Sequence, residues 1–69
     1  MFIVMEIQVF EDGKMSTPCY AYDNKNSADS KYHAILSSAS VSALPKHSAV
    51  MVTDDGYYIK SESYVHGGE

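Results

Sequence analysis

The stretch Ser48-Ala49-Val50-Met51-Val52-Thr53-Asp54-Asp55-Gly56-Tyr57 decides the fold. Ser48 to Thr53 is apolar and β-branched, which suits a strand packed on a pleated sheet. Asp54-Asp55-Gly56 follows as a hairpin turn, in which glycine takes a positive φ without steric cost, and Tyr57 to Val65 returns as a more polar strand. On the N-terminal side, Pro45 disfavours helical geometry at Leu44, so whatever precedes it must end there.

What precedes it has a period of 3.6. From about Asn24 to Ser40, the residues Ala28, Tyr32, Ile35, Leu36 and Ala39 fall on one stripe, with Asp29, His33, Ser37 and Ser40 towards the other side. This is one amphipathic helix. Asp23-Asn24-Lys25-Asn26 offers its N-cap, Asn26 with Asp29 approximates a capping box, and Asp29 stands one turn before His33 as a pairing partner. Val41 lies off the stripe, and the serines around it end the helix.

Further back, Ile3, Met5, Ile7 and Val9 alternate with Val4, Glu6 and Gln8, the period of a strand with one buried face. Asp12-Gly13 turns the chain, and Met15 to Tyr22 returns as a second strand that Pro18 assigns to a sheet edge. The fold class is therefore α+β: a ββαββ unit with a four-stranded, mainly antiparallel sheet and one helix on one face. The first and third strands are the most apolar, so they belong at the centre, giving the order 2-1-3-4. The order 2-1-4-3 of β-grasp domains ranks second, because it would bury Lys60-Ser61-Glu62-Ser63 centrally. Residues 1–66 form a single domain and 67–69 a flexible C-terminal tail.

Sixty-nine residues allow one thin core, since a chain of this length buries only about 60% of its unfolded surface. Cys19 is the lone cysteine, which favours a reducing, cytoplasmic location. The apolar start Met1-Phe2-Ile3-Val4-Met5 is cut by Glu6 and has no basic residue before it, so neither a signal peptide nor a membrane span is expected. Five lysines, no arginine and nine acidic residues give a net charge of −4. That field opposes a phosphate backbone, and arginine is the side chain best suited to reading one.

Catalytic chemistry finds no support. His33, His47 and His66 with Asp54 and Asp55 lack metal-ligand spacing, and serine, histidine and aspartate occur without a strained presenting turn. Cys19, beside Pro18 and Tyr20, has no neighbouring cation to activate it. Gly13 and Gly56 are isolated hairpin glycines, so no phosphate loop exists. No cofactor is expected and the chain is not read as an enzyme.

Six tyrosines, Tyr20, Tyr22, Tyr32, Tyr57, Tyr58 and Tyr64, are the most unusual compositional feature. On a sheet they can stack bases or centre a protein interface, and the acidic balance favours protein. If Ile3, Met5, Ile7 and Val9 hold the helix, the open sheet face carries Phe2, Val4 and Phe10 with the strand tyrosines Tyr20, Tyr58 and Tyr64. Such an apolar patch signals association. The expected activity is protein binding by a non-enzymatic interaction module, with a second copy (a homodimer) or a host protein as partner and no membrane or nucleic acid. Two other readings compete: a weak single-stranded nucleic-acid binder using the same tyrosines, and a β-grasp carrier ending in Gly67-Gly68 after loss of Glu69.

At Lys31-Tyr32-His33-Ala34-Ile35-Leu36, at Pro45-Lys46-His47-Ser48-Ala49-Val50-Met51, at Asp54-Asp55-Gly56 and at Tyr64-Val65-His66, the chain resembles a group of short uncharacterised proteins of Gram-positive gut bacteria and their mobile elements. The resemblance carries over no catalytic residue. It implies a context, in which genes of this size on a mobile element encode accessory or anti-defence proteins that bind a host protein.

Overall fold

The structure is a computed structural model and describes residues 1–66. The tail expected at 67–69 lies outside the described residues. The elements are β1 (Phe2–Val9), β2 (Met15–Ser16), β3 (Cys19–Tyr22), α1 (Lys25–Ser40), β4 (Lys46–Thr53) and β5 (Tyr58–Val65). The sheet runs β2-β1-β4-β5, with β3 also on β1, and every pairing is antiparallel. This is the expected α+β architecture, with the two most apolar strands at its centre.

The two hairpins share one construction. Gly13 N–H donates to the Phe10 carbonyl and Phe10 N–H to the Lys14 carbonyl, each at 2.9 Å. Gly56 and Thr53 repeat both bonds, to Thr53 and Tyr57, at the same 2.9 Å. Gly13 (φ 86°) and Gly56 (φ 87°) take the left-handed position that follows the turn, which a side chain would resist. The expected second strand is interrupted at Thr17-Pro18, so it appears as β2 and β3. Its register on β1 is nevertheless unbroken, and Glu6 N–H donates to the Pro18 carbonyl at 2.9 Å.

Asn24 caps the helix, its side chain accepting from Ser27 N–H at 2.8 Å; the capping box expected from Asn26 and Asp29 does not form. Asp29 instead accepts from Lys25 and Lys60, each at 3.0 Å, and His33 rests edge-on against Tyr32. Ala28, Tyr32, Ile35 and Ala39 are buried, with Leu36 partly so, as the periodicity predicts.

The helix meets the sheet on the opposite face from the one expected. Val4, Ala49 and Met51 are fully buried beneath it, with Phe2, Tyr20 and Tyr22 around them. The even-numbered side chains of β1 therefore face α1, and Ile3, Met5, Ile7 and Val9 face away. The cause is topological. β3 and β4 are both antiparallel to β1, so they run parallel, and β3-α1-β4 is a crossover over β1. Right-handed crossovers are the rule, and that hand puts the helix on the side reached by the even-numbered residues.

Candidate interaction surface

The open face is built by strict alternation from the central pair of strands. Ile3 stands opposite Val52, Met5 opposite Val50 and Ile7 opposite Ser48, so all six share the helix-free side. β3 adds Cys19 and Ala21 beside Met5 and Ile3, and β2 adds Met15 beside Val9. The aliphatic residues at the centre are only half-buried, because nothing among the described residues packs over them. Ser48 is the exception: it is buried between its neighbours, and its hydroxyl donates to Ser63 Oγ at 2.9 Å.

Among the described residues, none of the strands presents an acidic side chain on this face. The one charged strand residue there, among those described, is Lys46 at one corner, opposite Val9 and Val65. Glu6 and Glu62 belong to the helix side, Asp23 lies between β3 and α1, Asp29 is on α1, and Glu11, Asp12, Asp54 and Asp55 sit in the two turns. The helix side is where the polar chemistry collects. Glu6 Oε2 contacts His47 Nε2 at 2.6 Å and accepts from Gln8 Nε2 at 3.2 Å, while His66 Nε2 meets the Ala39 carbonyl at 2.9 Å. Hydrogen bonds from Lys25 and then Lys60 hold the Asp29 carboxyl below its usual range, and burial pushes the Tyr32 phenol up. At the second turn, the Thr53 hydroxyl lowers Asp55 in the same way.

The contact residues expected from the sequence are dispersed. Val4 is completely buried, and Phe2 and Tyr20 pack on the core, with Lys31 Nζ 4.0 Å from the Tyr20 ring centre. Val4 is thus a core residue, and Phe2 and Tyr20 are half-buried at the core's margin on the helix side. Tyr64 is half-buried on the helix side, where its hydroxyl donates to Glu62 at 3.3 Å and its ring stacks on His66. Phe10, 36% exposed, begins the first turn. Tyr58, 58% exposed and opposite Val52, is the one predicted residue that borders the open face, where its hydroxyl meets Ser61 Oγ at 3.1 Å.

The tyrosines thus do not form a platform. Tyr20, Tyr22 and Tyr32 serve the core, and the open face is aliphatic, not aromatic. The residues that do compose it, Ile3, Met5, Ile7, Val50 and Val52, were in plain view as alternating apolar positions; what misplaced them was the side of the sheet assigned to the helix. Among the described residues no three His, Cys, Asp or Glu side chains come together in a metal-binding group, and no helix is long and apolar enough to cross a membrane. Comparison of the chain with protein-family models, with curated proteins and with solved structures found no match.

Proposed function

We propose that this protein is a small cytoplasmic, non-enzymatic interaction module that works as a homodimer, with the open sheet face as the contact surface. The observation that carries this reading is an apolar sheet face whose described strand residues include no acid, on a chain whose net charge is −4. Two copies meeting through it bury aliphatic side chains without bringing carboxylates together. Four strands about 4.8 Å apart and about 26 Å long give a face of roughly 500 Å² per copy, or roughly 1,000 Å² per pair, which reaches the lower bound for a specific interface. The helix side would then remain free for a host protein, in keeping with an accessory or anti-defence role on a mobile element.

Nucleic-acid binding has less support, because Tyr20, Tyr22 and Tyr32 pack in or against the core and the more exposed Tyr57, Tyr58 and Tyr64 are dispersed over the second turn, the border of the open face and the helix side. The carrier reading needs the β-grasp strand order, which the sheet does not have, and Gly67-Gly68 lie outside the described residues.

The experiment is light scattering behind size exclusion over a range of concentrations, on wild-type protein and on Met5→Lys and Val50→Lys. The reading predicts a wild-type mass of two copies or more, and loss of the face contact in both variants with native circular dichroism. A wild-type monomer at every concentration defeats it.

A further inference from the structure

β5 ends the sheet on one side, and its outer edge is unoccupied among the described residues. His66 N–H donates to the Pro45 carbonyl at 2.8 Å in line with the β4-β5 register, so the even-numbered residues there turn their backbone groups towards β4. Alternation then aims those of Ser61, Ser63 and Val65 outwards. The opposite edge is cut into strands of two and four residues around Pro18, whereas β5 runs for eight residues without proline or glycine. Its one register shift on β4 lies near its start, at Ile59 between Tyr58 and Lys60, and a long edge that is regular beyond it is a template for another strand.

The side chains say which strand. Lys60 and Glu62 lie opposite Met51 and Ala49, both on the helix side and two residues apart. Set a second β5 antiparallel to the first, with a two-fold axis at Ser61. Ser61 then exchanges both backbone hydrogen bonds with Ser61 of the second copy. Lys60 faces Glu62 of that copy, and Glu62 faces its Lys60, in the closely spaced non-hydrogen-bonded pairs where opposite charges stabilise a sheet. Lys60 is already steadied by Asp29, and Glu62 is exposed. The edge is self-complementary in charge.

We propose that β5 is a strand-addition site whose occupant is β5 of a second copy, paired antiparallel about Ser61. Because the axis is perpendicular to the sheet, both open faces end on the same side and form one apolar surface of twice the width. The inference stands on the edge alone and does not require the face contact proposed above. If both operate, the assembly is larger than a dimer.

The experiment is amide hydrogen exchange on the full chain at low and high protein concentration, with Glu62→Lys and Lys60→Glu measured separately and mixed in equal amounts. In wild type, the Ser61 and Ser63 amides slow by at least about tenfold at high concentration. Each variant alone loses that protection, since like charges then face each other, and the mixture regains it. Wild-type exchange at these two amides that ignores concentration overturns the proposal, as does a mixture of folded variants with no regained protection. If Lys60→Glu fails to fold for want of its Asp29 contact, wild type and Glu62→Lys decide between them. A dimer formed only through the open face leaves both edge amides fast, so the failure of one interface is distinguishable from that of the other.

Discussion

Glu6 Oε2 and His47 Nε2 lie 2.6 Å apart, joining the two central strands on the helix side of the sheet. They are diagonal neighbours, since Glu6 stands opposite Ala49 and Gln8 opposite His47. His47 is almost fully buried, and its only side-chain hydrogen bond among the described residues is this one, its other ring nitrogen being buried without a partner there. The contact lets the polar half of β1 point towards the helix. Val4 fills the core at one end, and Glu6 and Gln8 are satisfied by each other and by His47 at the other.

Removing Glu6 therefore costs more than one hydrogen bond. Glu6→Ala leaves His47 buried and unpaired, and a loss of about 1–3 kcal/mol is expected in urea unfolding. Gln8→Ala costs less, because Glu6 keeps its contact with His47. A double-mutant cycle of Glu6→Ala with His47→Ala should give a coupling above about 0.5 kcal/mol; additivity would show that the pair contributes nothing beyond its separate side chains.

Asp29 makes stability depend on acid. Its carboxyl is held below the ordinary value of 3.8 by Lys25 first and Lys60 second, so on acidification the unfolded chain takes up the proton before the folded one. The contribution is complete at pH values above 3.8 and is lost as pH falls through the lowered folded value. Asp29→Asn lacks it throughout. The stability gap between wild type and Asp29→Asn should shrink as pH falls below about 4, and a gap that stays constant down to pH 2 refutes the assignment.

Two methionines separate core from contact surface. Met51 is fully buried against Val4, so Met51→Ala should cost about 2–5 kcal/mol through lost transfer energy and a cavity. Met5 lies on the open face, and Met5→Ala should leave monomer unfolding little changed while weakening association. Equal losses of unfolding stability would mean that Met5 is core.

The hairpin glycines give a measurement of backbone strain alone. A Cβ at Gly13 or Gly56 meets nothing within 4 Å, so Ala at either site suffers only from the positive φ. Each Ala variant should lose about 1–2 kcal/mol, and Gly56→Asn should lose less, because asparagine tolerates the left-handed region.

Much of this fold is legible in the chain. The 3.6 period of Ala28, Tyr32, Ile35 and Ala39 marks the helix and its buried stripe. Asp12-Gly13 and Asp54-Asp55-Gly56 mark the turns, because only glycine occupies those backbone positions cheaply. The aliphatic richness of Val50, Met51 and Val52 beside that of Ile3 to Val9 puts β4 and β1 at the centre. His47 was less legible: it is a lone histidine whose partner is 41 residues away in the chain, and no spacing rule connects it to Glu6.

By itself, the sequence determined the elements, their order in the sheet and the presence of two apolar faces on β1, since these follow from local periodicity and strand hydrophobicity. Only the tertiary structure decided which of those faces meets the helix. Ile3, Met5, Ile7 and Val9 form the cleaner apolar row, yet Phe2 and Val4 are the ones covered. The crossover from β3 over β1 to β4 must be right-handed, and handedness belongs to the path of the whole chain, where no run of residues can display it.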